Sequence, residues 1–180
     1  MEYHLEIPLT AETVKKLHIG DVLYITGKIF TARDEAHKIM LHKEKTDLPF
    51  NPSEMALYHC GPLMKKTPRG WNTISAGPTT SGRMELFEDR FIEKYGITVI
   101  IGKGGMGEKT KKALQKHNAV YTAYPGGAGA LAADRVKDVH AVYWLDELGM
   151  PEAVWIFEVE EFGPLIVAMD SHGNSIYKTK

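Results

Sequence analysis

The residues of this chain most suited to chemistry lie in one ten-residue stretch, residues 75–84. It reads SAGPTTSGRM, with two glycines, one proline, four hydroxyl side chains and one arginine. Gly and Pro impose an unusual backbone path. A helix is predicted to follow, and a helix N-terminus presents free N–H groups and partial positive charge. Arg83 adds a charged fork that fits a carboxylate or phosphate. The stretch indicates an anion site; the alternative is a turn in which Thr79, Thr80 or Ser81 only caps the helix.

A second candidate cation stands where a strand is predicted to give way to a helix. The run VLYITGKIF, residues 22–30, is typical of a core strand, and a helix is expected from about Asp34. A cation at a helix start is electrostatically disfavoured unless an anion is also present. Arg33 therefore either meets an external anion or pairs with Asp34 or Glu35.

A glycine loop supplies a third candidate cation. Residues 102–110 read GKGGMGEKT, whereas a nucleotide-binding P-loop needs lysine directly after its last glycine. Glu108 stands at that position and would repel a triphosphate, which argues against an NTPase. A strand, a glycine loop and a helix start still form a cradle for an anion, with Lys103 in it. The alternative is a tight turn whose glycines serve backbone geometry alone.

The elements that must position these residues alternate between strand and helix in the middle of the chain, which predicts parallel strands. The helix expected after the first stretch carries its apolar face on Met84, Phe87, Phe91 and Tyr95, and Gly96 ends it. Strands are predicted over residues 97–101, 119–123 and 139–145. From residue 154 onwards the pattern becomes all-β, with strands at 154–159, 164–169 and 175–177 and a turn at 170–174. The proline-rich residues 45–72 are interpreted as a covering loop or a partner contact.

Composition bounds the class of protein. The 180 residues suit a single domain, 1–180, and the net charge of −1 argues against nucleic-acid binding through a broad basic surface. No apolar run is long enough to span a membrane, and residues 1–4 lack the features of a signal peptide, so a cytoplasmic protein is expected.

Cys60, the single cysteine, is interpreted as a packed apolar residue that cannot hold an iron–sulfur cluster by itself. His37 and His42 do not have the i, i+4 spacing of a helical zinc site, so they are interpreted as surface or half-buried, and no metal ligand is predicted in this chain.

Three of these segments occur in one order, and together they resemble a known family. TARD (31–34), GPTTSGRM (77–84) and GKGGM (102–106) are similar to the β subunit of class I fumarases and L-tartrate dehydratases, which also forms the C-terminal domain of single-chain class I fumarases. The resemblance covers nearly the whole chain, and GPTTSGRM is its most specific part. It implies a swivelling β/β/α three-layer domain with a mainly parallel central sheet and a second antiparallel sheet.

The resemblance also implies an activity that depends on a partner. The family's enzymes are hydro-lyases that reversibly hydrate fumarate to L-malate with a [4Fe-4S] cluster, which three cysteines of the α subunit hold. Its open iron acts as a Lewis acid on the substrate hydroxyl. The resemblance carries over to Arg33, Arg83 and Lys103 as carboxylate-binding cations, and to Thr79 as the base that takes the C3 proton. It further suggests an (αβ)2 assembly.

Two other functions stay open at this point. The β subunit of an L-tartrate dehydratase would carry the same residues, because malate and tartrate differ by one hydroxyl group. A non-catalytic anion-binding or assembly module that kept the scaffold would also look like this chain in isolation. Turnover in the presence of a cluster-bearing partner separates these possibilities.

Overall fold

A computed structural model of the chain describes residues 1–125 and 127–177. The strands are β1 (Glu2–Glu6), β2 (Val22–Thr31), β3 (Ala56–Tyr58), β4 (Leu63–Thr67), β5 (Gly70–Ser75), β6 (Val99–Gly102), β7 (Val120–Ala123), β8 (Val136–Tyr143) and β9 (Val154–Met169). The α-helices are α1 (Ala11–Lys15), α2 (Asp34–Leu41), α3 (Glu88–Tyr95), α4 (Glu108–His117), α5 (Gly129–Asp134) and α6 (Leu145–Leu148). Short 3-10 helices span Lys45–Asp47, Pro52–Glu54 and Ser81–Leu86.

The large sheet is parallel in its middle and antiparallel where β9 joins it. Its strand order is β1-β2-β3-β6-β7-β9-β8, and β9 also pairs with β2. The pairs β2–β3, β3–β6 and β6–β7 are parallel, whereas β9 runs antiparallel to β2, β7 and β8. Strands β2, β3, β6, β7 and β9 thus form a closed, barrel-like ring. A separate antiparallel hairpin, β4–β5, forms the second sheet.

The central strands are buried on both faces, which explains their continuous apolar runs. One apolar cluster lies inside the ring and includes Ile29, Tyr58 and Ile101. A second cluster lies between the sheet and helices α2, α3 and α4, and it takes up the alternate residues Leu57 and Ile100. The helices therefore cover one outer face of the parallel strands and fix the direction in which those strands end.

The sequence predicted most of these elements. The predicted α/β class, the antiparallel end and a second antiparallel sheet are confirmed. The prediction of parallel strands in the middle holds for β6 and β7 but is wrong for the strand expected at 139–145, because β8 pairs antiparallel with β9. The closure of the large sheet was not predicted. Thr10 caps α1, and Gly96 ends α3 with φ 66°. Gly27 has φ 125° and lies close to the main chain of Ile7, where a side chain would be crowded.

Several predicted boundaries were wrong. Residues 160–163 continue the pairing with β2, so the two strands expected at 154–169 are one strand, β9. Residues 175–177 form only an isolated bridge, Met169 with Ser175, after a turn in which Asp170 accepts the N–H groups of His172 and Asn174. The β4–β5 hairpin lies within residues 45–75, where prolines and polar side chains hid the strand pattern.

The helix expected from residue 84 begins only at residue 88. A 3-10 helix, Ser81–Leu86, precedes it, and Phe87 interrupts the two with φ −122°. Leu86 is 71% exposed and does not belong to the apolar stripe, whereas Met84, Phe91 and Tyr95 are buried as predicted. Within the part of the chain that the structure describes, no helix has both the length and the apolar character needed to cross a membrane.

Candidate functional site

Two of the candidate cations, Arg33 and Lys103, follow the carboxyl ends of parallel strands in the same sheet. Arg33 follows β2, and Lys103 follows β6; β3, which ends at Tyr58, lies between them. In open and closed parallel α/β sheets alike, ligands bind at the carboxyl ends of the strands, because the strand ends and the following loops meet there. The order of the strands therefore brings together residues that are 70 positions apart in the sequence.

The loop of residues 77–83 is laid across the ends of β3 and β6. Thr79 N–H donates to the His59 carbonyl oxygen at 2.8 Å, and Ser81 N–H donates to the Lys103 carbonyl oxygen at 2.9 Å. Cys60 bridges to Pro78, and Thr80 bridges to Lys103. These main-chain contacts hold Thr79 beside Lys103. Among the described residues, neither the Thr79 hydroxyl nor the Lys103 ammonium has a hydrogen-bond or ion-pair partner, and both residues are partly buried.

Arg33 begins α2 and is fixed by a carboxylate of its own chain. Its Nε lies 3.1 Å from Glu152 Oε1, and its side chain is only 23% exposed. Glu152 also accepts the Glu35 N–H, at 3.2 Å, so this carboxylate is tied to the same helix N-terminus. A Cβ added at Gly61 would lie 2.9 Å from Arg33 Nη1, which shows how closely the main chain lies against the guanidinium. Arg33 therefore pairs with a carboxylate of its own chain, but the partner is Glu152 and not the predicted Asp34 or Glu35.

Arg83 lies at the rim and meets the residue after Arg33. Its Nη2 donates to Asp34 Oδ2 at 3.0 Å, and its side chain is 51% exposed. This ion pair links the 77–83 loop to the start of α2. The four predicted site residues, Thr79, Arg33, Arg83 and Lys103, are thus contributed by neighbouring strand ends and by the loop across them.

The anion cradle predicted at the glycine loop is filled by the protein itself. Glu85 accepts the N–H of Gly107 at 2.8 Å and the hydroxyl of Thr110 at 2.6 Å. Its other oxygen accepts the N–H groups of Lys109 and Thr110. The N-terminus of α4 is therefore capped by an internal carboxylate. The main-chain N–H groups of Gly107, Lys109 and Thr110 are therefore already used by Glu85, which adds a second argument against a P-loop.

A buried cluster that the sequence analysis missed lies directly beneath this loop. His37, His59 and Glu88 are each fully buried. His59 Nε2 lies 2.8 Å from Glu88 Oε2, and His37 Nε2 lies 3.3 Å from the same oxygen. His59 Nδ1 lies 2.8 Å from Ser81 Oγ, which in turn accepts the Lys103 N–H at 3.1 Å. His37 was predicted to be surface or half-buried; its pairing with Glu88 explains why a titratable ring lies in the core.

The protonation of the cluster follows from its contacts. Burial opposes the charged form of Glu88, yet His59 and His37 lower the pKa of this carboxyl to about 2. Burial also opposes the charged form of His37, but Glu88 raises the pKa of His37 above its ordinary value. Burial lowers the pKa of His59. The contacts therefore favour an ionised Glu88 and a protonated His37, and burial favours a neutral His59.

The same three residues are of types that bind metals, and their ligand atoms lie within 4.8 Å of one another. A structural zinc site takes four ligands, whereas this cluster supplies three among the described residues. Cys60 is fully buried, and burial raises the pKa of its thiol. Its predicted role as a packed apolar residue is confirmed. A single buried cysteine does not fit an iron–sulfur cluster, which needs several thiolates.

Sequence reasoning missed the cluster because its members are distant in the chain. His59 precedes Cys60-Gly61-Pro62 in a segment interpreted as a covering loop or a partner contact, and no role was predicted for Glu88. One usable signal was available: Glu88 stands four residues before Ile92 and three before Phe91, on the apolar side of α3. A carboxylate at such a position requires a buried partner.

Fold and site together define an α/β domain that presents partly open cationic groups and a hydroxyl at the carboxyl edge of parallel strands. The profile of the family described as "Fumarase C-terminus" matches residues 1–180, and the chain belongs to this family.

Its relatives bear names of two related enzymes. The chain is 54% identical over 180 residues to "Putative L(+)-tartrate dehydratase subunit beta" of Methanocaldococcus jannaschii, covering 99% of this chain and 92% of that protein. It is 43% identical over 176 residues to "L(+)-tartrate dehydratase subunit beta" of Escherichia coli K12, covering 98% and 87%. It is also 43% identical over 175 residues to "Putative fumarate hydratase class I" of Geobacillus stearothermophilus, covering 97% of this chain but 33% of that longer protein.

Proposed function

We propose that this chain is the β subunit of a class I fumarase or L-tartrate dehydratase, a hydro-lyase that acts with a partner subunit. The reaction we assign is the reversible hydration of fumarate to L-malate. The observation that carries this proposal is the partly buried Lys103, which has no counter-charge among the described residues and lies beside the hydroxyl-bearing 77–83 loop. A cation without a counter-charge beside hydroxyl groups is suited to bind an anionic ligand through charge-assisted hydrogen bonds.

The three cations fit the two ends of a small dicarboxylate. Lys103 offers a free ammonium, whereas Arg33 and Arg83 keep N–H groups beyond those used by Glu152 and Asp34. Charge-assisted contacts at both ends of the substrate fix its orientation. Negative charge that develops beside a carboxylate is delocalised into it, so the same cations also stabilise the transition state.

Thr79 is our candidate for the group that takes the proton from C3. A threonine hydroxyl is a weak base unless its alkoxide is stabilised. The neighbouring Lys103 supplies a positive charge for that purpose, and a carboxylate of the partner would assist. The Thr79 main chain is fixed by its bond to His59, so its hydroxyl is presented from a rigid position.

The partner would hold the [4Fe-4S] cluster, since this chain offers one buried cysteine. When bound, the cluster would supply a Lewis acid for the hydroxyl that leaves as water. We further propose a swivelling β/β/α architecture and an (αβ)2 assembly. The helical layer over the sheet supports the first of these proposals.

L-tartrate is the second candidate substrate, because two of the relatives bear the name of L(+)-tartrate dehydratase subunit beta. The test is an anaerobic affinity purification of the chain from its native host, with partners identified by mass spectrometry and the eluate assayed on fumarate, L-malate and L-tartrate. A stoichiometric cysteine-rich partner and hydro-lyase turnover support the proposal. A chain that elutes alone or without turnover would make the non-catalytic anion-binding module the better assignment.

The Arg83→Met variant tests the site within the assembled enzyme. We expect turnover to be abolished and the fold to be retained, because a half-exposed ion pair such as Arg83–Asp34 contributes at most about 1 kcal/mol. Arg69→Met, on the β4–β5 hairpin, is the matched control and should retain turnover. Near-normal activity of Arg83→Met would refute the assignment of this cation.

A further inference from the structure

We infer that Glu88 is a positioning residue that aligns the Arg33 and Lys103 anchors of the site through two separate arms. The inference rests on the proposed function for the roles of those two cations, but the arms themselves are defined by contacts within this chain. Glu88 is the first residue of α3 and is fully buried beneath the 77–83 loop. It touches neither anchor, so any effect it has on the site must be transmitted.

The first arm runs through His37 to the main chain of Arg33. His37 Nε2 forms an ion pair with Glu88 Oε2 at 3.3 Å, and its Nδ1 donates to the Arg33 carbonyl oxygen at 2.7 Å. A carbonyl oxygen only accepts, so the Nδ1 proton of His37 is fixed by this contact. The imidazolium therefore connects the buried carboxylate to the residue that begins α2.

The second arm runs through His59 and Ser81 to the main chain of Lys103. His59 Nε2–H donates to Glu88 Oε2 at 2.8 Å, since the ionised carboxylate only accepts. The neutral ring then has a lone pair on Nδ1, which accepts the Ser81 hydroxyl proton at 2.8 Å. The Ser81 oxygen accepts the Lys103 N–H at 3.1 Å. Each proton in this arm therefore has one donor and one acceptor.

The space around the second arm leaves little freedom for another arrangement. A Cβ added at Gly102 would lie 1.7 Å from Ser81 Oγ and 3.0 Å from His59 Nδ1. Ser81 is itself fully buried. Because the hydroxyl, the ring and the strand are in close contact, a displacement of His59 is passed on to Ser81 and Lys103 rather than absorbed. Because of this close packing, Glu88 sets the positions of Ser81 and Lys103 in addition to pairing with the buried histidines.

The decisive experiment compares Glu88→Ala with Glu88→Gln in the assembled enzyme. Alanine removes the acceptor of both rings. Both rings contact Oε2, so a glutamine with its oxygen at that position keeps the acceptor of His59 Nε2–H and removes the charge that faces His37. The second arm then persists, and the first loses only its ion pair. We expect Glu88→Ala to lower kcat/KM roughly 10- to 100-fold, by analogy with residues that orient the ligands of a metal site. We expect Glu88→Gln to recover most of the loss. Glu93→Ala, at an exposed position of the same helix, is the control.

A readout independent of activity is the amide of Lys103. Hydrogen exchange followed by NMR on the full chain should show faster exchange at Lys103 in Glu88→Ala but not in Glu93→Ala. Ring ¹⁵N signals should show His59 protonated at Nε2 and His37 protonated at both nitrogens, and Glu88→Gln should remove one proton from His37. A His59 ring protonated at Nδ1, or a stoichiometric metal ion bound to the purified protein, would overturn the inference.

Ser81→Ala keeps the inference testable if Glu88→Ala does not fold. It removes one hydroxyl and breaks only the second arm, so it should raise KM for the dicarboxylate and speed exchange at Lys103. Wild-type KM, kcat and Lys103 exchange in a folded Glu88→Ala or Ser81→Ala protein would refute the positioning role. Failure of the proposed function would appear differently: the wild-type complex would lack turnover, while the Lys103 amide would still respond to Glu88→Ala.

Discussion

Gly102→Ala is the sharpest test of the packing beneath the site. Gly102 is the last residue of β6 and directly precedes Lys103. The added methyl group would lie 1.7 Å from Ser81 Oγ and 3.1 Å from Ser81 Cβ. Contacts this short cannot persist, so Ser81 or the β6 main chain must move. Either movement breaks the hydrogen bond of Ser81 to His59 Nδ1 or to the Lys103 N–H.

Two effects set the size of the loss. Inserting a methyl group into a well-packed site costs about 1–3 kcal/mol. A buried donor or acceptor left without a partner costs about 1–3 kcal/mol more. The free energy of unfolding should therefore fall by about 2–6 kcal/mol. For a chain of this length that corresponds to a Tm lower by about 4–24 °C.

Urea unfolding followed by circular dichroism measures this difference. Gly82→Ala is the matched control, because its added Cβ would lie 3.4 Å from the Gly105 carbonyl oxygen and Gly82 is exposed. The control should stay within about 0.5 kcal/mol of the wild type. If Gly102→Ala were equally mild, Ser81 would not occupy the position that this structure assigns to it, and the second arm of the Glu88 network would not exist.

Three further predictions concern buried or capping groups. Glu88 has a pKa lowered to about 2 from its ordinary value of 4.5, so its contribution to stability, about 3 kcal/mol, is present above pH 4.5 and is lost as the pH falls towards 2. Urea unfolding between pH 6 and pH 3 should show this loss in the wild type and a flatter profile in Glu88→Gln; equal slopes would contradict the charge assignment. Glu85→Ala should lower the free energy of unfolding by about 1–3 kcal/mol, because the N-terminus of α4 loses its cap; Glu93→Ala should change it little, and equal effects would refute the capping role. Cys60 should react with a thiol reagent only when the chain unfolds, because burial keeps the thiol protonated and inaccessible; rapid modification of the native chain would refute this.

The sequence predicted the element ends that carry the candidate cations. It did not predict the buried cluster of His37, His59 and Glu88 beneath them. Gly and Pro in the 77–83 loop, and the change from strand to helix at Arg33, are local signals that depend on a few neighbouring residues. They located the cations correctly at element boundaries. The roles of Arg33, Arg83, Lys103 and Thr79 in binding and proton transfer remain predictions, because contacts within the chain do not test them.

Long-range pairing explains the parts that were missed. Glu152 meets Arg33 from 119 positions away, and Glu88 meets His59 from 29 positions away. No periodicity in either segment encodes such a pair. The anion cradle shows the same limit: the glycine loop was predicted to hold an external anion beside Lys103, whereas its helix start is capped by Glu85, from a 3-10 helix 22 residues before Gly107.

The distribution of charge supports the proposal that a partner subunit completes the site. Glu88 and His37 are paired where water is absent, so their mutual attraction is strong and contributes to a fixed geometry. Arg83 is half exposed, and its attraction for a carboxylate is weakened by water and salt. The buried Glu88–His37 pair therefore lies beneath a cation, Arg83, that is half exposed to solvent. Because electrostatic stabilisation of a transition state depends on excluding water, the wall that closes the site around Arg83 must come from outside the part of the chain described here. Such a wall would increase the effect of cations that this chain already holds in place.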